Sequence, residues 1–266
     1  MKSFERLVLA YLKNITGPLL DPLQFAYRAN RSMDDAINMG LHFILQHLDK
    51  SGTYVRLLFV DFSSAFNTII PTLLQTKLTQ LSVPSSICQW ITSFLTDRHQ
   101  LVKLGKFMSY STTSTGAPQG CVLSPLLFSL YTNDCTSTDP SVKLLKFADD
   151  TTVIGLIHDG DESAYRQEVE QLAAWCSINN LELNTLKTVD FRRNTPALPP
   201  LTIMNSTVPT NGVIQVPGHH HLSGPEVGHS HRLHYQKGPT KTVLPSAAEE
   251  VQPATGAANT VLLSRH

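Results

Sequence analysis

Two adjacent carboxylates, Asp149 and Asp150, stand between apolar runs in V-K-L-L-K-F-A-D-D-T-T-V-I-G-L-I. At a tight hairpin tip they repel each other unless solvent or a cation screens them. A third acid, Asp61, ends the apolar run 54–61 and opens V-D-F-S-S-A-F. If these runs are strands meeting at one sheet edge, three carboxylates there can hold two hard divalent cations about 3.5–4 Å apart. That arrangement serves phosphoryl transfer. Each piece also has an ordinary reading. Asp is a common residue of solvated turns, and Asp61 alone is a helix cap or a polar strand end. G-A-P-Q-G (116–120), followed by C-V-L-S-P, either shapes backbone for close ligand approach or is a plain loop-to-helix turn. Lys187, in L-N-T-L-K-T, taken singly is a surface lysine.

The elements that must position these residues are legible from spacing. Leu7, Val8, Tyr11 and Leu12 give a helix over 2–14. Ser32 is an N-cap with Asp34 and Asp35 in the first turn, and Ile37, Leu41, Ile44, Leu45 and Leu48 continue at helical spacing. Residues 54–61 suit a buried strand. Pro71 starts a helix through Leu73, Leu74, Leu78 and Leu81, Pro84 ends it, and 86–95 form another. Residues 101–111 alternate around Gly105 as a hairpin. Ser124-Pro125 opens a helix to Tyr131. Strands are expected at 142–148 and 151–157, separated only by Asp149-Asp150. A helix over 161–179 offers Ala164, Val169, Leu172 and Trp175 to one side.

Composition sets limits. The chain has 266 residues, 21 Lys+Arg against 21 Asp+Glu, 41% hydrophobic and 16% charged residues. It is long enough for a real core and too poor in charge for a disordered polyelectrolyte. No apolar run approaches the ~18 residues of a membrane span, so no membrane partner is expected. The N-terminal stretch fits an amphipathic helix rather than a signal peptide. Cys88, Cys121, Cys135 and Cys176 have no CxxC or metal-finger spacing, which predicts free, mostly buried thiols in a reducing compartment. The expected location is therefore intracellular, in cytoplasm or nucleus, and not secreted. The zero net charge is uneven. Residues 1–110 hold eleven basic and seven acidic side chains, residues 111–190 four and eleven, and residues 191–266 six and three. The first part can meet phosphate and the second can hold cations.

In this order and spacing the segments resemble the reverse transcriptase domain of non-LTR (LINE-type) retrotransposons, over about residues 1–208. Asp61 with Phe66 resembles polymerase motif A. G-A-P-Q-G-C-V-L-S-P-L-L-F is similar to motif B, F-A-D-D to motif C and L-x-L-N-x-x-K-T to motif D. F-A-Y-R-A-N-R-S (25–32) resembles the family's F-G-F-R-x-G-R-S in the fingers. The resemblance implies an α/β (α+β) right-hand polymerase fold, with fingers and an antiparallel palm sheet backed by helices. It implies RNA-directed DNA polymerase activity on an RNA template and DNA primer, with dNTPs as substrates and two Mg2+ ions as cofactor. Asp61 and Asp149 would bind both ions, with Asp150 the weaker, supporting acid. Phe66 would lie under the incoming sugar and reject a 2′-hydroxyl. Gln119 and Gly120, with Phe147 and Ala148, would form the nucleotide site. Lys187 would stand near the leaving pyrophosphate as a proton donor. Arg28, Arg31, Arg98, Lys103 and Lys106 would meet nucleic-acid backbone.

Three departures from the family temper the expected activity. In the family an endonuclease and the first fingers strands, with a Y-R-P-I-type segment whose arginine helps hold the triphosphate, precede the point matched by Met1. Val189 follows Lys187-Thr188 at once, where the family usually has several more residues. Third, the expected domain runs over 1–210, and 211–266 read as a disordered tail. For Ile214 to Val227 a permitted codon set, read one base later, spells F-R-F-L-G-T-T-I-S-Q-D-L-K-W. That string resembles the family's own continuation. The expectation is a frameshift at or before Ile214 that replaces the thumb, leaving a fragment truncated at both ends. His219, His220, His221, His229, His231 and His234 are then out-of-frame residues rather than a metal tract. The rival readings are a non-catalytic nucleic-acid-binding remnant and an inactive pseudogene product.

Overall fold

The computed structural model describes residues 2–192, 198–203, 206–215 and 261–263. The histidine tract and most of the expected frameshifted tail lie outside the described residues.

The first helix, α1 (Lys2–Thr16), leads through a short 3-10 turn (Gly17–Leu19) into an extended segment. Helix α2 (Met33–Leu48) starts where Ser32 predicts. The Ser32 hydroxyl accepts from the Asp35 amide, and the Asp35 carboxylate accepts from the Ser32 amide, closing a capping box. Strand β1 (Thr53–Ser63) is followed by a 3-10 turn (Ala65–Asn67), α3 (Pro71–Gln80) and α4 (Ser85–Leu95). Next come the hairpin strands β2 (Arg98–Leu104) and β3 (Phe107–Thr113), α5 (Ser124–Tyr131), and strands β4 (Val142–Phe147) and β5 (Asp150–His158). Helix α6 (Ser163–Ile178), β6 (Glu182–Arg192), a small pair β7 (Leu201–Ile203) and β8 (Ser206–Val208), and β9 (Thr210–Gln215) follow, with β10 (Val261–Leu263) last.

Five strands form the central sheet in the order β4-β5-β1-β6-β9. All neighbours are antiparallel except β6 and β9, which run parallel. The sheet therefore continues to Gln215, past the expected domain end at 210. Strand β1 is central and covered on both faces. Leu58, Val60 and Phe62 join a core with α1, α3, α4, α5 and α6, while Val55 and Leu57 join a second core with Phe25, Ala36, Ile44 and Leu48 around α2. Burial on both faces explains why this strand is largely apolar rather than alternating. Cys88, Cys135 and Cys176 are buried, and all four thiols are free. Among the described residues no helix is long and apolar enough to cross a membrane. Hairpin residues 99–112 belong to a second compact unit, in which β10 pairs with β2.

The exception in that apolar strand is Arg56, fully buried beside Leu57 and Leu58. One guanidinium nitrogen lies 2.9 Å from Glu162 Oε1 and 3.0 Å from Oε2, and Nε lies 3.2 Å from Asp190 Oδ1. The Tyr54 hydroxyl donates to Glu162 at 2.9 Å, and Arg166 reaches Glu162 from one helical turn on. Burial pushes the Asp190 carboxyl up, against the opposing pull of Arg56. The cluster joins β1, β6 and the start of α6. The expected apolar stripe of α6 also shifts, because the face it buries includes Tyr165 and Glu168. Tyr165 packs flat on Gly155 of β5, directly across from Arg56, so that a Cβ at Gly155 would come 2.4 Å from its ring.

Two outcomes follow for stability. Gly155→Ala must displace the Tyr165 ring, and overpacking of this kind costs about 1–3 kcal/mol; urea unfolding will show a lower midpoint at an unchanged slope. Arg56→Met strands Glu162 and Asp190 and will cost about 3–5 kcal/mol in the same measurement. A milder Arg56→Met than Gly155→Ala would contradict this account of the core.

Candidate active site

The β4–β5 hairpin closes with Phe147 paired to Asp150. The two turn residues are therefore Ala148 and Asp149, one position earlier than the strand pattern predicts, and Asp150 already belongs to β5. A two-residue hairpin turn needs a positive φ, and Ala148 supplies it at φ +58°. A non-glycine residue there is strained by roughly 1–2 kcal/mol. Strand β1 pairs with β5 up to Val60–Thr151. Asp61 and Asp150 are each one residue beyond that pair, toward the same end of the sheet. Burial raises the Asp150 carboxyl first, and the negative charges of Asp149 and Asp61 raise it further. The three acids thus share one electrostatic environment on adjacent strands.

Their hard oxygen donors suit a divalent cation such as magnesium. Among the described residues, however, no three acidic, His or Cys side chains close around a single point.

Just beyond Asp61 the chain turns sharply. Ser64 has φ +53°, and the 3-10 turn at Ala65–Asn67 follows. The motif-B segment is strapped to this turn. The Gly116 amide donates to Ile69 O at 2.7 Å, and the Ala117 amide donates to Phe66 O at 2.7 Å. Gly116 sits at φ +74° with the Asn67 backbone 2.7 Å from where a Cβ would be, so only glycine fits. The Phe66 ring packs 5.0 Å from that of Phe128 in α5. Ser124 donates to Pro118 O at 2.6 Å, and buried Glu5 of α1 accepts from the Val122 amide at 2.9 Å. Gln119 and Gly120 stand exposed between these anchors.

The segment before α2 is fastened to β4. Lys146, itself buried, places its ammonium 2.8 Å from Asp21 Oδ2, 2.8 Å from Thr132 O and 2.7 Å from Cys135 O. The Lys146 amide donates to Leu23 O, and the Phe25 amide donates to Lys146 O. Gln24 and Lys146 form a parallel bridge. Continued in step, that pairing brings Tyr27 alongside Asp149. Tyr27 has φ +60°; burial and the charge of Asp149 hold its hydroxyl above the usual phenol range.

The basic residues divide. Arg28 donates to Asp21 O and Gln24 O, and Arg31 donates to Pro22 O with its guanidinium 4.8 Å over the Phe25 ring. Arg98 donates to Leu95 O, Thr115 O and Gly116 O. All three thus shape the loops around the site. Lys103 and Lys106 are exposed on the β2–β3 hairpin, in the second unit. The Lys187 backbone pairs with Phe59, next to a register shift between Phe59 and Val60. Asp61, Asp149, Asp150, Phe66, Phe147, Ala148 and the motif-B segment all belong to the first unit. Sequence reasoning missed Tyr27, Glu5 and Lys146. The alternation of β4 marks Lys146 as an inward position, which was the available signal for one of them.

Comparison with known proteins agrees with this arrangement. Residues 1–222 match the family model described as reverse transcriptase (RNA-dependent DNA polymerase). The chain is 31% identical over 215 residues to a probable RNA-directed DNA polymerase from transposon BS of Drosophila melanogaster, covering 76% of this chain and 23% of that protein. It is 30% identical over 226 residues to the corresponding protein of the X-element of the same species, covering 78% of this chain and 24% of that protein. The chain thus spans about a quarter of the length of the curated relatives it matches. In fold it is similar to a telomerase of Candida tropicalis solved with a fragment of telomeric RNA. The TM-score is 0.53 at 14% identity, over 70% of this chain and 32% of that one. The acid-tipped palm hairpin, the strapped motif-B loop and the match over residues 1–222 place this chain in the reverse transcriptase family.

Proposed function

We propose that this chain carries the fingers and palm of an RNA-directed DNA polymerase, which extends a DNA primer on an RNA template with dNTPs. The observation that carries the reading is the meeting of Asp61, Asp149 and Asp150 at one end of the palm sheet, beside a motif-B segment hydrogen-bonded to Phe66 and Ile69. Asp61 and Asp149 are the residues to hold two magnesium ions, with Asp150 in support. Bound there, the ions supply Lewis-acid activation of the primer 3′-hydroxyl and neutralise charge on the triphosphate. The Phe66 ring packs on Phe128 while its main-chain carbonyl accepts from the Ala117 amide, which fixes the residue's position. It therefore suits the role of excluding a 2′-hydroxyl. Gln119 and Gly120 are free to meet the nucleotide, and Phe147 and Ala148 set the floor on which it rests. Lys187, on the strand next to Asp61, is the proposed proton donor to pyrophosphate.

Primer extension on an RNA template tests the reading. Asp149→Ala and Asp61→Ala will each lower extension at least about a hundredfold, the scale of losing one preorganised electrostatic group. Normal extension by either variant would remove the carboxylates from the chemistry. Phe66→Ala will raise incorporation of ribonucleotides relative to deoxyribonucleotides by roughly tenfold, within the range for relief of a steric pocket. An unchanged ratio would take the gate away from Phe66.

The carboxylates also make a stability statement. Asp150 is raised in the folded chain, so its ionised form disfavours folding. Folding is relatively favoured below the ordinary carboxylate range and loses that advantage as pH rises through the raised value. Asp150→Asn will therefore raise Tm at neutral pH in chelator. The gain will vanish in acid, where Asp150 is protonated folded or unfolded. A lower Tm at neutral pH would show that the acids do not repel.

A further inference from the structure

Away from the carboxylates, the β2–β3 hairpin concentrates chemistry that the palm does not use. From Arg98 to Asn133 the chain contains no acidic residue, while Arg98, His99, Lys103 and Lys106 fall within the hairpin. Its apolar side chains are in solvent: Phe107 is 71% exposed and Tyr110 75%. The Lys106 ammonium lies 5.9 Å from the Phe107 ring centroid. His99 Nδ1 lies 3.2 Å from the Thr112 hydroxyl, which puts those two residues opposite each other. Strand alternation then sets Lys103 and Tyr110 on one face, and Phe107 on the other beside the tip lysine.

A docking patch for a folded protein is depleted of charge at its centre. Here lysines are interleaved with the rings, and the hairpin sequence itself holds no acid. Stacking rings among cations are the combination that holds unpaired bases and their phosphates, because every base offers a π face and every nucleotide a negative charge.

We propose that the β2–β3 hairpin is a binding element for a single strand of nucleic acid. Phe107 and Tyr110 stack on bases, and Lys103 and Lys106 neutralise phosphates. The inference rests on the polymerase reading for the source of the strand, RNA template or DNA, but not for the contact itself. It assigns Phe107 and Tyr110 a role outside the nucleotide site.

The test uses the full chain and a fluorescent, unstructured RNA oligonucleotide, titrated in chelator without nucleotide. DNA of the same sequence and an RNA duplex serve as comparisons. Phe107→Leu and Tyr110→Leu keep apolar area and lose the stack, and each will weaken single-strand binding about tenfold, within the range for one stacked base. Phe107→Trp will retain affinity. Lys103→Gln and Lys106→Gln will each reduce the slope of log affinity against log salt by about 0.7. All these positions are exposed, and unchanged thermal melts will show that the variants fold. Wild-type affinity in both leucine variants, or an unaltered salt slope in both glutamine variants, would overturn the proposal. Tighter binding of duplex than of single strand would also overturn it. Primer extension reads separately. A chain that binds through the hairpin but extends nothing loses the polymerase reading and keeps this one. A chain that extends, with the hairpin variants binding normally, does the reverse.

Discussion

The acid-bearing end of the central sheet depends on β1 being held between β5 and β6, and the clamp is a buried arginine. Arg56 sits in the middle of the central strand with no exposure to water. A lone guanidinium there would be prohibitively expensive to desolvate. It survives because Glu162 and Asp190 come to it from α6 and β6, and Tyr54 and Arg166 complete the shell of Glu162. The cluster can form in only one relative placement of these elements. A register slip of one residue would turn Arg56 to the opposite face. The position of Asp61, five residues along the same strand, is therefore set by an ion cluster that has no part in chemistry. Whether a buried cluster adds stability over an apolar core is a separate matter, and such clusters often add none. Its role here is to choose a single arrangement.

A second buried cation repeats the device at the sheet edge. Lys146 draws in Asp21, Thr132 O and Cys135 O, and so fastens the segment carrying Tyr27, Arg28 and Arg31 to the strand that leads into the acid hairpin. Around these fastenings the backbone breaks its usual preferences. Tyr27, Ser64 and Ala148 all adopt positive φ, and the charges of Asp149 and Asp61 push the Asp150 carboxyl up. Strain and repulsion gathered in one place are the physical mark of a site built for a ligand rather than for stability.

Much of this was readable from residue types. The Ser32 cap, the Pro71 and Pro125 helix starts and the doubly covered strand β1 all follow from local chemistry, and the structure has them at the expected places. The motif-B glycine is explained rather than merely noted, since the Asn67 backbone fills the space of its missing side chain. Other features were not readable. The hairpin turn falls one residue earlier than the strand pattern implies, because Ala148 accepts a conformation that its type disfavours. The buried face of α6 turns toward Tyr165 because Gly155, on the preceding strand, leaves a hollow for the ring. Arg28, Arg31 and Arg98 look like free cations in the sequence, yet each donates to main-chain carbonyls.

The sequence alone determined the element order as far as α6, most of the apolar faces and the identity of the three acids, because those depend on side-chain chemistry and short-range spacing. Tertiary structure decided which strands meet, and hence that Asp61 and Asp150 end beside each other. It also decided which charges are buried and paired and which stand in water. Contacts such as Arg56 with Glu162, or Phe66 with Ala117, join residues far apart along the chain. No local preference encodes them. They exist only because the packed sheet and its helices leave one way to bury the apolar faces while giving every buried charge a partner.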